Sequence, residues 1–391
     1  MIEMGEKRKV LEGVPKVAFA PIHDGKWEFT PFPSCLKACL KYLNHAVPYH
    51  YLLSTTGAAF RLVWHSKRWE GGNVDIMAID KNPFKPFKSG FESAGYKTEI
   101  FYNESMIKTF SNLQDLDKPL LKKHSANEET FKDTIFKQIN AGVPVIGLGV
   151  VGPPEASIIS GYDNHGETLI GWSLFQEHLD PSLNITEQEE EEFSFPPTGK
   201  EDSGYFRQDD WFRKTIGILT IGEKIPVDYS IIYRKTLDWI VEMIKTPMIN
   251  DYYTGLKAYD AYIEKMQDDT EFPKNDMEIL RKRKMVHYDA MTMISERGGG
   301  ALFLNDVASH IDFKNVADDL HLAANAFKDS ASQMESWWQI VGEIWADEEK
   351  QIAVMADSEK RQAFIPYIKK SRDKDKEAAE IIEKVLKTLD K

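Results

Sequence analysis

The sequence predicts an α+β protein in two parts, a mixed α/β part over residues 1–225 and an all-α part over residues 226–391. Three observations lead there. The β-branched run from Val143 to Val151 is followed by two apolar runs flanking an Asn164-His165-Gly166 turn, the pattern of a strand and a hairpin. From Tyr229 onward, stretches with apolar residues at helical spacing succeed one another with short polar or Gly/Pro breaks. Pro226 stands between the two patterns.

The elements follow in chain order. Val17 to Ala20 is a short apolar run that reads as a strand. After Pro31-Phe32-Pro33, Ser34 is placed to cap a helix whose Leu36, Leu40 and Leu43 lie at helical spacing. A second helix is expected from Phe131 to Ala141, with Phe131, Ile135 and Ile139 on one face and Gly142 as its stop. The run Val143 to Val151 is too short for a buried helix and reads as a central strand. The hairpin pairs Ala156–Asp163 with Glu167–Ser173. A polar excursion from Glu177 to Gly204, with the acidic run Glu189 to Glu192, reads as a solvated loop, and Trp211 to Ile221 returns to β character. Helices are expected at IIYRKTLDWIVEMI, YYTGLKAYDAYIEKM, MEILRKRKMVHYDAMTMISER and DKEAAEIIEKVLKTLDK, with no fixed-period repeat.

Charge and composition exclude several partners. The chain has 391 residues, with 49 Lys+Arg against 62 Asp+Glu, a net charge of −13. That excess argues against a nucleic-acid backbone or an anionic membrane as the main partner. Two cysteines exclude a disulfide framework and a four-cysteine zinc site. No apolar run approaches the about 20 residues of a membrane helix, and the first residues show no signal-peptide pattern. A soluble, cytoplasmic protein is therefore expected, with no metal and no cofactor, and the sequon at Asn184 is a chance match. Nothing in the sequence indicates an oligomeric state.

Cys35 is the chemically suggestive residue. The expected helix puts it in the first turn, where unpaired N–H groups and the helix dipole favour thiolate. A small buried apolar residue on a core helix is the ordinary account of such a cysteine. Cys39 lies one turn on, in line with the apolar stripe.

The stretches PFPSCLKACLKYLNH and YHYLLSTTGAAFRLVW, with GVPVIGLGVVGPPEASIISGYDNHGETLIGWSLFQ, resemble the butirosin-biosynthesis-protein-H N-terminal family. That family is a divergent relative of the papain-like and bacteriocin-processing cysteine peptidases. Gly255–Asp260 and Arg297–Leu304 are similar to the helical region that often follows it. The resemblance implies a papain-like cysteine-peptidase-type N-terminal domain followed by an all-α C-terminal domain. It puts the nucleophile position on Cys35. The histidine position, counted back from Gly161-Tyr162-Asp163, falls on Glu155, and no Gln precedes Gln114 to serve the oxyanion. A carboxylate near pKa ~4 is a poor base for a thiol near ~8.5, so a conventional protease is not expected. Trp172, Ser173 and Gln176 are the nearest counterparts of the residue that orients the peptidase histidine, and core packing also accounts for Trp172.

Other patterns carry less. Arg61, in the segment Thr55 to Trp64, is a candidate for pairing with a substrate carboxylate, or an exposed arginine on a scaffold segment. His45 and His50 lack ligand spacing, and Gly71-Gly72 and Gly298-Gly299-Gly300 lack the Lys-Ser/Thr of a phosphate loop. The glycine triplet suits close packing or a kink between helices. Trp337 and Trp338 read as core or interface residues. Three functions stay open. One is Cys-dependent acyl transfer or amide hydrolysis on a small molecule or acyl donor, through Cys35 and Glu155. The second is an inactive ligand-binding protein, and the third a helical interaction scaffold.

Overall fold

A computed structural model describes residues 6–19, 28–69, 76–103, 105, 122–177, 196–341 and 347–391. In chain order the first elements are β1 (Lys9–Val10), α1 (Pro31–Tyr42), α2 (Tyr49–Thr55), β2 (Val63–His65), α3 (Lys85–Ser93) and β3 (Ile100–Asn103). Then come β4 (Ser125–Ala126), α4 (Glu128–Asn140), β5 (Val145–Leu148), β6 (Ala156–Asp163) and β7 (Thr168–Ser173). β8 (Gly199–Lys200), β9 (Phe206–Asp209), β10 (Gly217–Leu219) and α5 (Tyr229–Lys245) lead to β11 (Met248–Ile249) and β12 (Tyr252–Thr254). The rest is helical: α6 (Gly255–Gln267), α7 (Met277–Ser295), α8 (Arg297–Ser309), α9 (Ala317–Val341), α10 (Glu348–Ala356) and α11 (Ser358–Leu389). The mixed α/β character followed by helices is an α+β arrangement. Among the described residues no helix is long and apolar enough to cross a membrane.

Two compact units form, one from residues 1–52 with 87–227 and the other from 53–86 with 228–391. The second break falls beside Pro226. The segment 53–86, which the sequence assigns to the α/β part, is instead counted with the helical unit.

In the first unit the strands run β4-β3-β10-β5-β6-β7-β9-β8, with β1 also beside β6. Every pairing is antiparallel except β3 with β4. β5 and β10 are buried at every residue, which is why their sequences are continuously apolar rather than alternating. α1 packs on β5 and β6. α4 opens on Asn127, whose side chain accepts the Thr130 N–H at 3.0 Å, with Glu128 and Glu129 complementing the positive end of the helix. The hairpin turns through Asn164 and His165, both left-handed at φ +47° and +54°. The acidic run, Asn184 and Gly71-Gly72 lie outside the described residues.

Two features of this unit differ from expectation. Val17 and Ala18 form no strand; the N-terminal strand is Lys9–Val10, opposite Tyr162 and Gly161. Only a residue without a side chain allows that approach, because the Lys9 carbonyl lies 2.5 Å from where a Gly161 Cβ would stand. α1 also begins earlier than Ser34, at Pro31 after Thr30. Proline suits the first helical turn because its missing N–H has no intrahelical partner there.

The second unit holds helices α5–α11 and a small sheet ordered β11-β12-β2. Tyr252–Thr254, expected to be helical, is a strand whose Tyr252, Tyr253 and Thr254 face His65, Trp64 and Val63. The glycine triplet opens α8, and Gly300 admits the Phe60 ring to 2.4 Å from where a Cβ would be. Arg297 donates from Nε and Nη2 to Asp375 Oδ2, each at 3.0 Å. Its Nη1 reaches the carbonyls of Met293, Ala59 and Arg61, while the Tyr259 hydroxyl donates to Asp375 Oδ2 at 2.8 Å. The β2–β12 pairing and this arginine tie residues 53–86 to the helices.

Candidate functional site

The first unit brings Cys35 and Glu155 together. Cys35 projects from α1, which lies on β5 and β6, and its thiol reaches the carbonyl of Ala156 at 3.5 Å. Glu155 is the residue just before Ala156, at the head of β6. It follows the Gly152-Pro153-Pro154 turn, closed by the Glu155 N–H to Pro153 carbonyl bond at 2.6 Å, and its own carbonyl accepts the Gly149 N–H at 2.9 Å. The rigid turn and the strand start thus fix where this carboxyl begins.

The environment of the thiol is opposite to that of an activated nucleophile. Because α1 starts at Pro31, Cys35 is its fifth residue and stands past the first turn. The N-terminal field of a helix fades within that turn, so little of it reaches the sulfur. Cys35 has 0% of its surface exposed. Burial, then the neighbouring Cys39 and Glu155, push its thiol well above the ordinary range. Burial raises Cys39 as well. A thiolate without solvent and beside a carboxylate is disfavoured on both counts, so Cys35 is held as a neutral thiol donating to Ala156.

The residues expected to bind substrate are engaged in the protein's own structure. Trp172 is buried, donates from Nε1 to the Val14 carbonyl at 2.9 Å and packs on Tyr205 at 4.7 Å between ring centres. Ser173 donates from Oγ to the Val151 carbonyl at 3.2 Å and accepts the Phe175 N–H at the same distance. Gln176 accepts the Ser173 N–H at 3.0 Å and donates to the Gly204 carbonyl at 3.0 Å. The Ser173 bond to Val151 ties the end of β7 to the turn before Glu155, and the others join it to Val14, to its own following turn and to Gly204. Arg61 belongs to the second unit, where it is buried and donates to Glu296 at 2.6 Å and to the Ala58 carbonyl at 2.8 Å. Its charge is matched within the protein, which removes the motive for a substrate carboxylate.

The placement of residues 6–19 beside the site is what sequence reasoning missed. Tyr205 accepts the Val14 N–H at 3.1 Å and donates to the Leu11 carbonyl at 3.0 Å, pinning this segment beside β6 and β7. The signal was Gly161, a glycine inside a strand pattern, which marks a close backbone approach. Among the described residues no three His, Cys, Asp or Glu side chains gather as metal ligands would.

No protein-family profile matches this chain, and no curated protein matches it.

Proposed function

We propose that the first unit is a papain-like domain of the butirosin-biosynthesis-protein-H kind whose Cys35–Glu155 site binds a small amide- or acyl-bearing molecule without cysteine chemistry. The observation that carries this is the Cys35 thiol, fully buried and donating to the Ala156 carbonyl with Glu155 beside it. A peptidase needs a thiolate and a base that can return a proton to the leaving amine, and this environment favours neither. A carboxyl at the head of a strand can accept from a ligand amide or hydroxyl. The ligand class comes from the resemblance.

A second reading, Cys-dependent acyl transfer or amide hydrolysis, is favoured by the placement of Glu155 itself. In it the thiol proton passes to the Glu155 carboxylate as sulfur attacks the acyl carbon. The carboxyl then gives that proton to the departing amine, alcohol or thiol, and water or an acceptor amine or alcohol next attacks the Cys35 thioester, which releases the acyl group and returns a proton to sulfur through Glu155.

Thermal melts against a panel of small amides and short-chain acyl thioesters test the proposal. A ligand at 100 times its Kd adds about 2.7 kcal/mol, and each kcal/mol is worth roughly 2–4 °C in a unit of this size. The expected result is a rise of several degrees that disappears in Glu155→Ala and survives in Cys35→Ser. Stabilisation unaffected by Glu155→Ala would sink the binding site. Turnover that vanishes in Cys35→Ser would replace the first reading by the second.

A further inference from the structure

We propose that residues 6–19 are a strap that holds the Cys35–Glu155 site shut, so that access to the site requires the strap to lift. The inference rests on the reading of Cys35 and Glu155 as the site and names what closes it.

The strap has an inner end, a middle and an outer end. At the inner end Val17 and Ala18 are buried, Lys16 pairs with Glu177, and Phe19 sets its edge on Phe175 at 4.9 Å between ring centres. Phe175 in turn covers Gly152, its Cβ 2.7 Å from where a Gly152 Cβ would stand, and Ser173 Oγ bonds the adjoining Val151 carbonyl. The strap thus rests on the 173–177 turn, which in turn lies on Val151 and Gly152, just ahead of Glu155. Glu155 adjoins the Ala156 carbonyl that receives the Cys35 thiol.

The middle is held by backbone. The Leu11 N–H donates to Ser160 at 2.8 Å, the His165 N–H to Lys7 at 3.0 Å, and Tyr205 and Trp172 hold Leu11 and Val14 as described. This pairing is only two residues long in register, and it depends on the bare Cα of Gly161.

The outer end is electrostatic. Arg8 donates to Asp163 at 3.2 Å and to Glu201 at 2.9 Å, and Arg207 binds the same two carboxylates from the sheet side. Arg8 keeps 41% of its side-chain surface exposed. Salt weakens ion pairs in that setting, whereas it leaves a buried core strand in place. A short ladder, one glycine-dependent contact and a screened charge cluster make a segment that detaches without unfolding the sheet beneath it.

Two variants lift the strap by independent routes. Gly161→Ala puts a methyl group against the Lys9 carbonyl and Val10; Arg8→Ala with Lys16→Ala removes both ionic anchors. Brief native trypsin treatment, which once the strap is free cuts after Lys9 in every variant and after Lys16 where that lysine is kept, reads strap release. Iodoacetamide labelling, mapped by mass spectrometry, reads Cys35 and Cys39 separately. In wild type at low salt the strap stays uncut and Cys35 unlabelled. In each variant, and in wild type at 1 M NaCl to a smaller extent, the strap is expected to be cut and Cys35 to label at least about tenfold faster, with Cys39 unchanged.

Strap cleavage without faster Cys35 labelling overturns the proposal. So does a strap that remains protected in both variants. Cys39 labelling in step with Cys35 marks global unfolding of Gly161→Ala, and the Arg8/Lys16 variant then decides by the same two criteria. If Cys35 opens with the strap while no amide or thioester stabilises the protein, the cover stands and the ligand reading falls.

Discussion

The two units bury ionisable groups under opposite rules. In the helical unit Arg297 and Asp375 are both about 1% exposed, and each faces a partner of opposite sign. Burial pulls the Arg297 guanidinium down, but Asp375, Tyr259 and Glu296 carry it back above its ordinary value. Arg61 and Glu296, each 4% exposed, form a second such pair. In the α/β unit Cys35 sits beside another thiol and a carboxylate, and the same desolvation keeps it uncharged. Burial alone therefore does not mark a reactive group. The sign of the nearest neighbour decides whether a buried group keeps its charge or gives it up.

The largest effect should come from breaking the matched charges. Arg297→Ala strands the Asp375 carboxylate and removes a donor from the carbonyls of Met293, Ala59 and Arg61. Removing one member of a buried pair costs about 3–5 kcal/mol. The urea midpoint of Arg297→Ala is expected to fall accordingly, and the double variant Arg297→Met with Asp375→Leu to recover much of the loss. A single variant within 1 kcal/mol of wild type, by the same urea titration, would show that the pair does not govern this core.

His287 gives the helical unit its own uncharged member, and pH reads it out. It lies against Trp337, at 4.2 Å between ring centres, and near Phe364, Tyr262 and Tyr288. Burial lowers its pKa to about 3. Unfolded histidine titrates near ~6.5. Above that pH both states are neutral and the stabilisation is complete. As pH falls, the unfolded chain takes up the proton first, and stability drains away until the folded pKa is passed. The loss is roughly 3 kcal/mol by pH 4. Because carboxylates elsewhere also titrate there, the informative quantity is the difference between wild type and His287→Phe. The slope between pH 6.5 and 4 is expected to be shallower in the variant; parallel slopes would mean that His287 is protonated in the folded state.

Much of the sheet was legible because its cause is local. A continuous apolar run, a hairpin turn tolerant of left-handed backbone and an Asn127 cap are all written within a few residues. What escaped notice depends on partners far along the chain. Tyr252–Thr254 carries helix-compatible residues but becomes a strand because Val63–His65 lies beside it. Arg61 reads as an exposed cation until Glu296, 235 residues later, is found against it. The resemblance assigned Cys35 and Glu155 to one site, and the Cys35 thiol lies at the carbonyl of Ala156, the residue after Glu155. The chemical state of the thiol was not legible, because it turns on complete burial with Cys39 and Glu155 as neighbours; the two prolines that move the helix start back from Ser34 to Pro31 only remove the helix field that would have favoured thiolate.

A smaller substitution separates structural engagement from recognition at the same site. Trp172→Phe keeps an aromatic ring against Tyr205 but removes the donor to the Val14 carbonyl. The loss of one net hydrogen bond is worth about 1 kcal/mol, or roughly 2–4 °C in the melting temperature of a unit of this size. If Trp172 serves only to hold the strap and the end of β7, a ligand that stabilises wild type should stabilise the variant by the same increment, with only the baseline lowered. An increment that shrinks along with the baseline would return Trp172 to the ligand's side of the site. It would also mean that the indole N–H changes partner when the strap lifts, since in the closed arrangement it already donates to Val14.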